Sequence, residues 1–221
     1  MSNIAPHIPT SFPAADPAPA PRLFLLSPAN ASGIRAQLIL REEARFPLAL
    51  RLREGRLSLG EAFAFISGLY FRGKLAYARM FGQAGEAGVE PALVITPTRG
   101  LLPASAPVDA VMLREFGAVD LATAGREYRD PLERDLAALV PRLSPEARVV
   151  LLGSIATGKY ADVLGRALGD RLVYPRAFVG RGDMSRGGLL LRSVAARQEL
   201  EYAPLPAGCR PRGKRPARLE R

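Results

Sequence analysis

The sequence contains one histidine and one cysteine, and both lie near its ends. His7 lies in a segment rich in proline and alanine, and Cys209 opens a basic segment near the carboxyl terminus. The chain between them therefore lacks the imidazole and thiolate ligands of common zinc sites. It also lacks the residues of a Ser-His-Asp or Cys-His mechanism, and one cysteine forms no intrachain disulfide. Acid–base chemistry would need Asp, Glu, Lys, Tyr, a substrate group or a metal held by oxygen ligands.

Long apolar runs are also missing. No run reaches the roughly 20 residues that a membrane-spanning helix needs. The first residues lack the basic stretch and the apolar stretch of a secretory signal. These absences predict a cytoplasmic protein with no membrane partner. With 221 residues, 48% of them hydrophobic, the chain is long enough for one domain with a sizeable core.

Lysine is scarce, although the chain is strongly basic. Only three of the 31 basic residues are lysines, and the formal net charge is +10. Lys74 and Lys159 each follow a glycine, and residues 209–221 contain six basic residues and one acidic residue. Such a charge is typical of proteins that bind nucleic acid, nucleotides or another polyanion. The alternative is an arginine-rich composition that reflects only a GC-rich genome.

Apolar runs that alternate with helical patterns indicate the fold. "RLFLL", "PALVI", "ARVVLLGS" and "RLVYP" each have the length and composition of a buried strand. This alternation predicts a single three-layer α/β domain with a mostly parallel sheet over residues 22–207. The head, residues 1–21, is rich in proline and alanine and is predicted to be disordered, as is the basic tail, residues 208–221.

Two segments between the first two of these strands carry local signals. In "PLALRLREG", Leu48, Leu50 and Leu52 alternate with other residues, which favours a strand. Ser58 is followed three residues later by Glu61, the spacing of a helix capping box. A helix is therefore predicted from that point, broken near Gly68.

Three loops follow predicted strands and mix glycine or proline with hydroxyl groups. They are Ser27–Gly33, Thr96–Leu102 and Gly153–Lys159. In open α/β sheets, ligands bind beyond the carboxyl ends of the strands. We therefore expect these loops to converge on one site.

The third loop fits the G-x-x-x-x-G-K core of a phosphate-binding loop, through Gly153, Gly158 and Lys159. Tyr160 stands where a nucleoside triphosphatase needs Ser or Thr for magnesium, and no acidic residue ends the next apolar run. The loop is therefore predicted to be a simpler anion site, built from backbone amides at a helix start and the lysine. The alternative is a tight turn with Lys159 in solvent.

Other segments offer further candidates. "TPTRGLLP" could hold a phosphate or carboxylate, or be an ordinary polar loop. "SGLYFRGKLAYARMF" mixes basic and aromatic residues, for stacking on nucleic acid or simply as an amphipathic helix. "GRGDMSRGG" could close over a ligand or be a solvated loop, and its Arg-Gly-Asp triplet is read as a coincidence. Asp183 in this segment, together with Lys74, is the predicted proton-transfer candidate.

The order of five segments resembles a bacterial protein family of uncharacterised function. These are "LLSPANASGIRA", "SGLYFRGKLAYA", "VITPTRGLLP", "LLGSIATGKYADVL" and "FVGRGDMSRGGLLLR", which span most of residues 24–192. The layout is more distantly similar to YaaA-type and archaeosine-synthase-associated α/β domains. "SPANASG" stands here in place of their cysteine-and-lysine pattern. The resemblance implies nucleic-acid or nucleobase biology and no particular mechanism.

The leading hypothesis is a basic pocket for a nucleotide, a nucleobase or a nucleic-acid phosphate. An enzyme acting on a small anionic metabolite and a non-catalytic interaction module are the alternatives. No metal site is predicted, and the sequence indicates no cofactor, reaction or oligomeric state. The predicted binding residues are Ser27, Asn30, Ser32, Thr96, Thr98, Arg99, Gly153, Ser154, Thr157, Gly158, Lys159, Tyr160, Arg181, Ser185 and Arg186.

Overall fold

The computed structural model describes residues 20–83, 89–121, 123, 125–156, 158–214 and 216, without the side chain of Lys159. The strands in this part of the chain are β1 (Arg22–Leu26), β2 (Leu57–Ser58), β3 (Ala92–Ile95), β4 (Leu101–Pro103), β5 (Pro107–Val108), β6 (Arg148–Leu152), β7 (Leu172–Pro175) and β8 (Tyr202–Pro204). The helices are α1 (Ile34–Leu40), α2 (Pro47–Arg53), α3 (Leu59–Ser67), α4 (Leu69–Phe81), α5 (Ala110–Gly117), α6 (Arg126–Leu139), α7 (Gly158–Leu168) and α8 (Asp183–Ala196).

The main sheet has six strands in the order β4-β3-β1-β6-β7-β8. The four inner strands are parallel, and the edge strands β4 and β8 are antiparallel to their neighbours. In the middle of β1, Leu25 pairs with Leu93 on one side and Leu151 on the other. All three leucines are buried, as expected for a parallel sheet covered on both faces. The predicted α/β fold with a mostly parallel sheet is confirmed.

The helices pack in two groups. Helices α4 and α8 pack against each other, and α4 also contacts β1 and β3. Helices α6 and α7 contact each other, and they contact β4 and β7 respectively. Because crossovers between parallel strands are right-handed, and because β3 and β6 lie on opposite sides of β1, the two groups are expected on opposite faces. The three-layer arrangement stays a prediction, and this strand order supports it.

The strand predicted for "PLALRLREG" is wrong, because the segment forms helix α2. Pro47 occupies the first helical turn, where its fixed φ angle and missing N–H favour a helix start. Ala49 and Leu52, three residues apart, are buried, whereas Leu50 is 40% exposed. The helical spacing therefore decides which residues face the core, and the alternating leucines do not.

The predicted capping box is confirmed at the start of α3. The backbone N–H of Glu61 donates to Ser58 Oγ at 3.3 Å, and the backbone N–H of Ser58 donates to Glu61 Oε2 at 3.1 Å. The predicted break also lies at Gly68, between α3 and α4, where φ is +62°. Glycine adopts this left-handed conformation without steric cost.

Part of the predicted tail lies against the domain rather than apart from it. Arg210 donates from Nη2 to both carboxylate oxygens of Asp162 on α7 at 2.5 Å. The backbone of Lys214 lies directly against Gly180. Residues 1–19 lie outside the described residues, so the disorder of the head and the domain limits at 22 and 207 stay predictions. None of the helices in the described part of the chain is long and apolar enough to cross a membrane.

Candidate functional site

The strand order places a crevice between the carboxyl ends of β1 and β6. From β1 the chain moves to β3 on one side, and it later returns to β6 on the other side. Ligands of open α/β sheets bind at such a switch point. The loops that follow β1 and β6 lie close together here, since the Ser27 N–H donates to Leu152 O at 3.1 Å. A Cβ atom at Gly153 would lie 3.0 Å from Ser27 Cβ, a tight contact that a larger residue would make only if its neighbours shifted slightly.

The side chain of Lys74 on α4 contacts Ser27, the residue that follows β1. Its Nζ atom lies 2.5 Å from the carbonyl oxygen of Ser27 and 2.9 Å from Ser27 Oγ. The residue is 1% exposed, and Nζ lies 4.5 Å from the ring centre of Tyr70 and 4.7 Å from that of Phe71. Burial lowers the pKa of Lys74 to about 7, with Asp183 acting to raise that pKa and Arg186 to lower it. The amine is thereby poised between its charged and neutral forms near neutral pH.

Arg186 of α8 brings a second buried cation to the same place. Its guanidinium donates to Phe178 O at 3.3 and 3.2 Å and to Gly153 O at 3.5 Å. The residue is 8% exposed, and its guanidinium lies 5.2 Å from the ring centre of Phe178. The Asp183 carboxylate is 3.9 Å from Arg186, but its side chain is 72% exposed. No Asp or Glu is buried among the described residues, so the site carries an excess of buried positive charge.

A cavity of about 430 Å³ is lined by Ser27 and Asp183, the contact partners of Lys74 and Arg186, although neither cation lines it directly. Its lining combines hydroxyl groups, two tyrosines and the Asp183 carboxylate with residues of α1. The lining residues used below are Ser27, Asn30, Arg35, Tyr70, Ser154, Tyr160 and Asp183. A second cavity of about 530 Å³ shares Pro28, Ala29, Asn30 and Tyr160 with the first. The two cavities thus flank the β1–α1 loop.

Both tyrosines of the lining are buried. Burial raises the pKa of Tyr70 and of Tyr160 well above the ordinary value for a phenol, so both stay neutral. The Tyr70 hydroxyl makes no hydrogen bond of normal geometry among the described residues, although Arg186 lies near enough to lower its pKa by its charge and by a weak side-chain hydrogen bond. A buried hydroxyl without a partner is costly, and a ligand in the cavity could supply that partner.

The structure brings together much of the predicted site. Ser27, Asn30, Ser154, Tyr160 and Asp183 line the first cavity, and Ser32 lines the second. Lys74, Gly153 and Arg186 lie behind that lining, where Lys74 and Gly153 contact Ser27 and Arg186 contacts Asp183.

The Thr96–Leu102 loop reaches the second cavity through Pro97, but its predicted binding residues line neither cavity. Arg99 donates from Nε to both carboxylate oxygens of Glu115 at 3.1 Å, and Thr98 bonds the same carboxylate. Thr96 donates to Gly100 O at 2.9 Å and accepts from the backbone N–H of Arg99 at 3.0 Å. These predicted binding residues therefore stabilise a turn and an ion pair at the surface.

Other predicted residues also lie apart from the cavity. Arg181 donates to Ala177 O at 2.9 Å and to Ser185 Oγ at 3.1 Å, and neither residue lines a described cavity. Gly158 begins α7, close to the Asp162 and Arg210 side chains. Thr157 and the Lys159 side chain lie outside the described residues, so the lysine contact of the predicted anion loop stays a prediction.

Two lining residues, Tyr70 and Arg35, are not among the predicted binding residues. Tyr70 precedes Lys74 by four residues and so shares its helix face, a spacing that could have signalled it. Arg35 lines the cavity from α1 and donates to Phe65 O at 3.3 Å, and no pattern in its neighbourhood indicated this. Among the described residues, no cluster of His, Cys, Asp and Glu could hold a metal ion.

Comparisons of the chain with protein-family models, curated proteins and solved structures found no match. The resemblance to YaaA-type domains therefore stays a prediction.

Proposed function

We propose that the protein binds a small ligand with a phosphate or carboxylate group in the cavity between β1 and β6. A nucleotide or a nucleobase derivative is the favoured class. The proposal rests on one observation: Lys74 and Arg186 are the buried basic residues of the described chain, and both lie at this crevice. Arg186 keeps its charge, and its ion pair with the exposed Asp183 carboxylate is long, at 3.9 Å. Buried charges are costly without a close partner of opposite sign. An anion in the cavity would supply such a partner for Arg186.

The size and lining of the cavity support a small ligand. At about 430 Å³, it falls within the range of roughly 300–1,000 Å³ of small-molecule sites. Tyr70 and Tyr160 provide aromatic side chains, on which nucleobases commonly stack. Because the cations are buried, a polymer would reach them only by inserting one nucleotide. A free nucleotide therefore fits the cavity better than an extended strand does. The cytoplasmic location predicted from the sequence suits such a ligand.

Calorimetric titration tests the proposal with AMP, adenosine and inorganic phosphate. AMP should bind, and Arg186→Gln should weaken it about tenfold or more, since a hydrogen bond to a charged group contributes ~1.5–3 kcal/mol. Arg56→Gln is the control, because Arg56 pairs with Glu54, its side chain is 71% exposed, and it does not line the cavity. Circular dichroism should confirm that both variants fold.

Two results would overturn the proposal. One is an absence of binding by AMP and phosphate at low salt. The other is binding of a single-stranded oligonucleotide alone, with the steep salt dependence of many phosphate contacts. The second result would move the site from the cavity to a surface of the protein.

A further inference from the structure

Ser27 and Lys74 form a pair that anion binding does not explain. Ser27 lines the cavity, whereas Lys74 lies behind it and touches both the hydroxyl and the carbonyl oxygen of the same serine. A lysine that served only to bind an anion would present its amine to the cavity. This amine instead contacts the hydroxyl of a serine that lines the cavity and is itself only 6% exposed.

We propose that Ser27 is a nucleophile and Lys74 its general base, in acyl transfer from a carboxylic ester that carries an anionic group. The inference rests on the cavity being a ligand site, as proposed above. Serine hydroxyls become nucleophilic when an adjacent base takes their proton, and lysine can replace histidine in that role. The 2.9 Å between Lys74 Nζ and Ser27 Oγ is within the reach that such a transfer needs.

As an ammonium ion, Lys74 Nζ donates to the Ser27 carbonyl oxygen at 2.5 Å and to Ser27 Oγ at 2.9 Å. A neutral amine has two N–H donors and one lone pair. In the neutral form one N–H still donates to the carbonyl oxygen, and the lone pair takes the place of the second donor and accepts from the Ser27 hydroxyl. Burial among Tyr70 and Phe71 favours this neutral form, because the ammonium ion loses its hydration there.

The reaction balances with water as the second substrate. Ser27 Oγ attacks the ester carbonyl carbon, and its proton passes to Lys74 Nζ. The C–O bond to the leaving alcohol then breaks, and the proton passes from Lys74 to the alcohol through a water molecule, because Lys74 itself does not line the cavity. A second water attacks the acyl-serine, its proton passes to Lys74 by the same route, and Ser27 Oγ leaves with that proton. The products are a carboxylic acid and an alcohol.

Neighbouring residues supply a donor for the oxyanion and positive charge for the anionic group of the substrate. The Tyr70 hydroxyl, which makes no hydrogen bond of normal geometry among the described residues, lines the same cavity as Ser27 and is the donor available to a developing oxyanion. Arg35 and Arg186 supply the positive charge that would hold an anionic group on the substrate. The charged or titratable groups that act on Lys74 are Tyr70, Asp183 and Arg186, and Tyr160 lines the cavity from α7.

Covalent labelling of the full chain with a tagged fluorophosphonate tests the pair. We expect one phosphonyl group per chain, on the peptide that contains Ser27. Labelling should be lost in Ser27→Ala and unchanged in Ser105→Ala, whose exposed hydroxyl bonds Glu90 at the surface. In Lys74→Met, labelling should fall by about a hundredfold or more, the scale of general-base catalysis.

The pH profile of the unmodified chain keeps the test independent of whether a variant folds. The labelling rate and the hydrolysis of 4-nitrophenyl acetate should rise with pH and level off above about 7, as Lys74 loses its proton. No labelling at pH 9, labelling that survives Ser27→Ala, or a rate that does not change between pH 5 and 9 would overturn the inference. AMP binding without labelling would leave the proposed function standing and refute only this inference. Labelling without AMP binding would support this inference and refute the proposed nucleotide ligand.

Discussion

Gly73 of α4 and Gly187 of α8 face each other where the two helices cross. A Cβ atom at Gly73 would lie 2.8 Å from Gly187 O, and one at Gly187 would lie 2.8 Å from the Cα atom of Tyr70. The backbones can approach this closely only because neither residue has a side chain. Lys74 and Arg186 are the chain neighbours of these glycines, so this contact sets the positions of both buried cations.

Gly187→Ala should therefore push the helices apart. Overpacking of this kind typically costs ~1–3 kcal/mol of unfolding free energy. Gly188→Ala is a matched control, since its Cβ atom would approach nothing closer than Arg192 Nη2 at 3.6 Å. That variant should gain up to ~1 kcal/mol from the higher helix propensity of alanine. Urea unfolding measures both, and equal effects of the two substitutions would contradict the close contact.

Lys74→Met should change how stability depends on pH. The pKa of Lys74 falls from 10.5 to about 7 on folding. Between these values the unfolded chain binds more protons, so the wild-type chain gains stability as pH rises, by at most ~1.4 kcal/mol per pH unit. Below pH 7 both states are protonated and the penalty is constant. Methionine does not titrate, so the stability of the variant relative to wild type should fall as pH rises from 7 towards 10.

Denaturant unfolding of both chains between pH 6 and 9.5 measures this difference. Tyrosines and other groups titrate in both chains, and their contributions cancel in the comparison. Parallel stability curves over this range would show that Lys74 keeps an ordinary pKa in the folded chain.

Glu61 should contribute a second pH dependence, on the acid side. A hydrogen bond from Arg51 is the largest of the effects that lower its pKa to about 2, and bonds from Ser58 add to it. Since the folded pKa is depressed, the contribution is complete above about pH 4.5 and is lost as pH falls towards 2. The Glu61 side chain is 37% exposed, so solvent screening keeps the contribution near ~1 kcal/mol.

Glu61→Gln should therefore be less stable than wild type at pH 6 and nearly equal to it near pH 2. Thermal unfolding at several pH values provides the measurement. A stability difference that stays constant down to pH 2 would show that the capping and ion-pair contacts do not depend on the carboxylate charge.

The sheet could be predicted from the sequence because its signal is local. The run that forms β6 is apolar after Arg148, and the capping spacing at Ser58 marks a helix start within four residues. The helix of residues 47–53 was missed because alternating leucines mimic a strand, while proline in the first turn decides for a helix. Local patterns thus predicted elements well where one signal was present and failed where two competed.

The site was predicted only in part because its contacts join distant parts of the chain. Ser27 and Lys74 are 47 residues apart, and Gly153 and Arg186 are 33 apart. The loop with Arg99 was expected at the site since it follows a strand. Its strand, β3, lies one position away from the switch point, and Glu115 on α5 binds the arginine. Strand order and ion-pair partners follow from the folded topology, and no short motif encodes them.

A chain that ends at Ala207 should separate the cavity from the tail. The truncation removes the bond from Arg210 to Asp162 and the contact of Lys214 with Gly180. The Arg210 and Asp162 side chains are 27% and 37% exposed, so the lost ion pair should cost only ~0.5–1 kcal/mol.

The AMP affinity of this truncated chain should stay within about twofold of wild type, because no residue beyond 207 lines the cavity in the described chain. Any affinity for oligonucleotides should fall, since the basic tail supplies salt-dependent phosphate contacts. Calorimetry measures the AMP affinity, and fluorescence anisotropy with a labelled single strand measures the oligonucleotide affinity. A loss of AMP binding would mean that the tail forms part of the site.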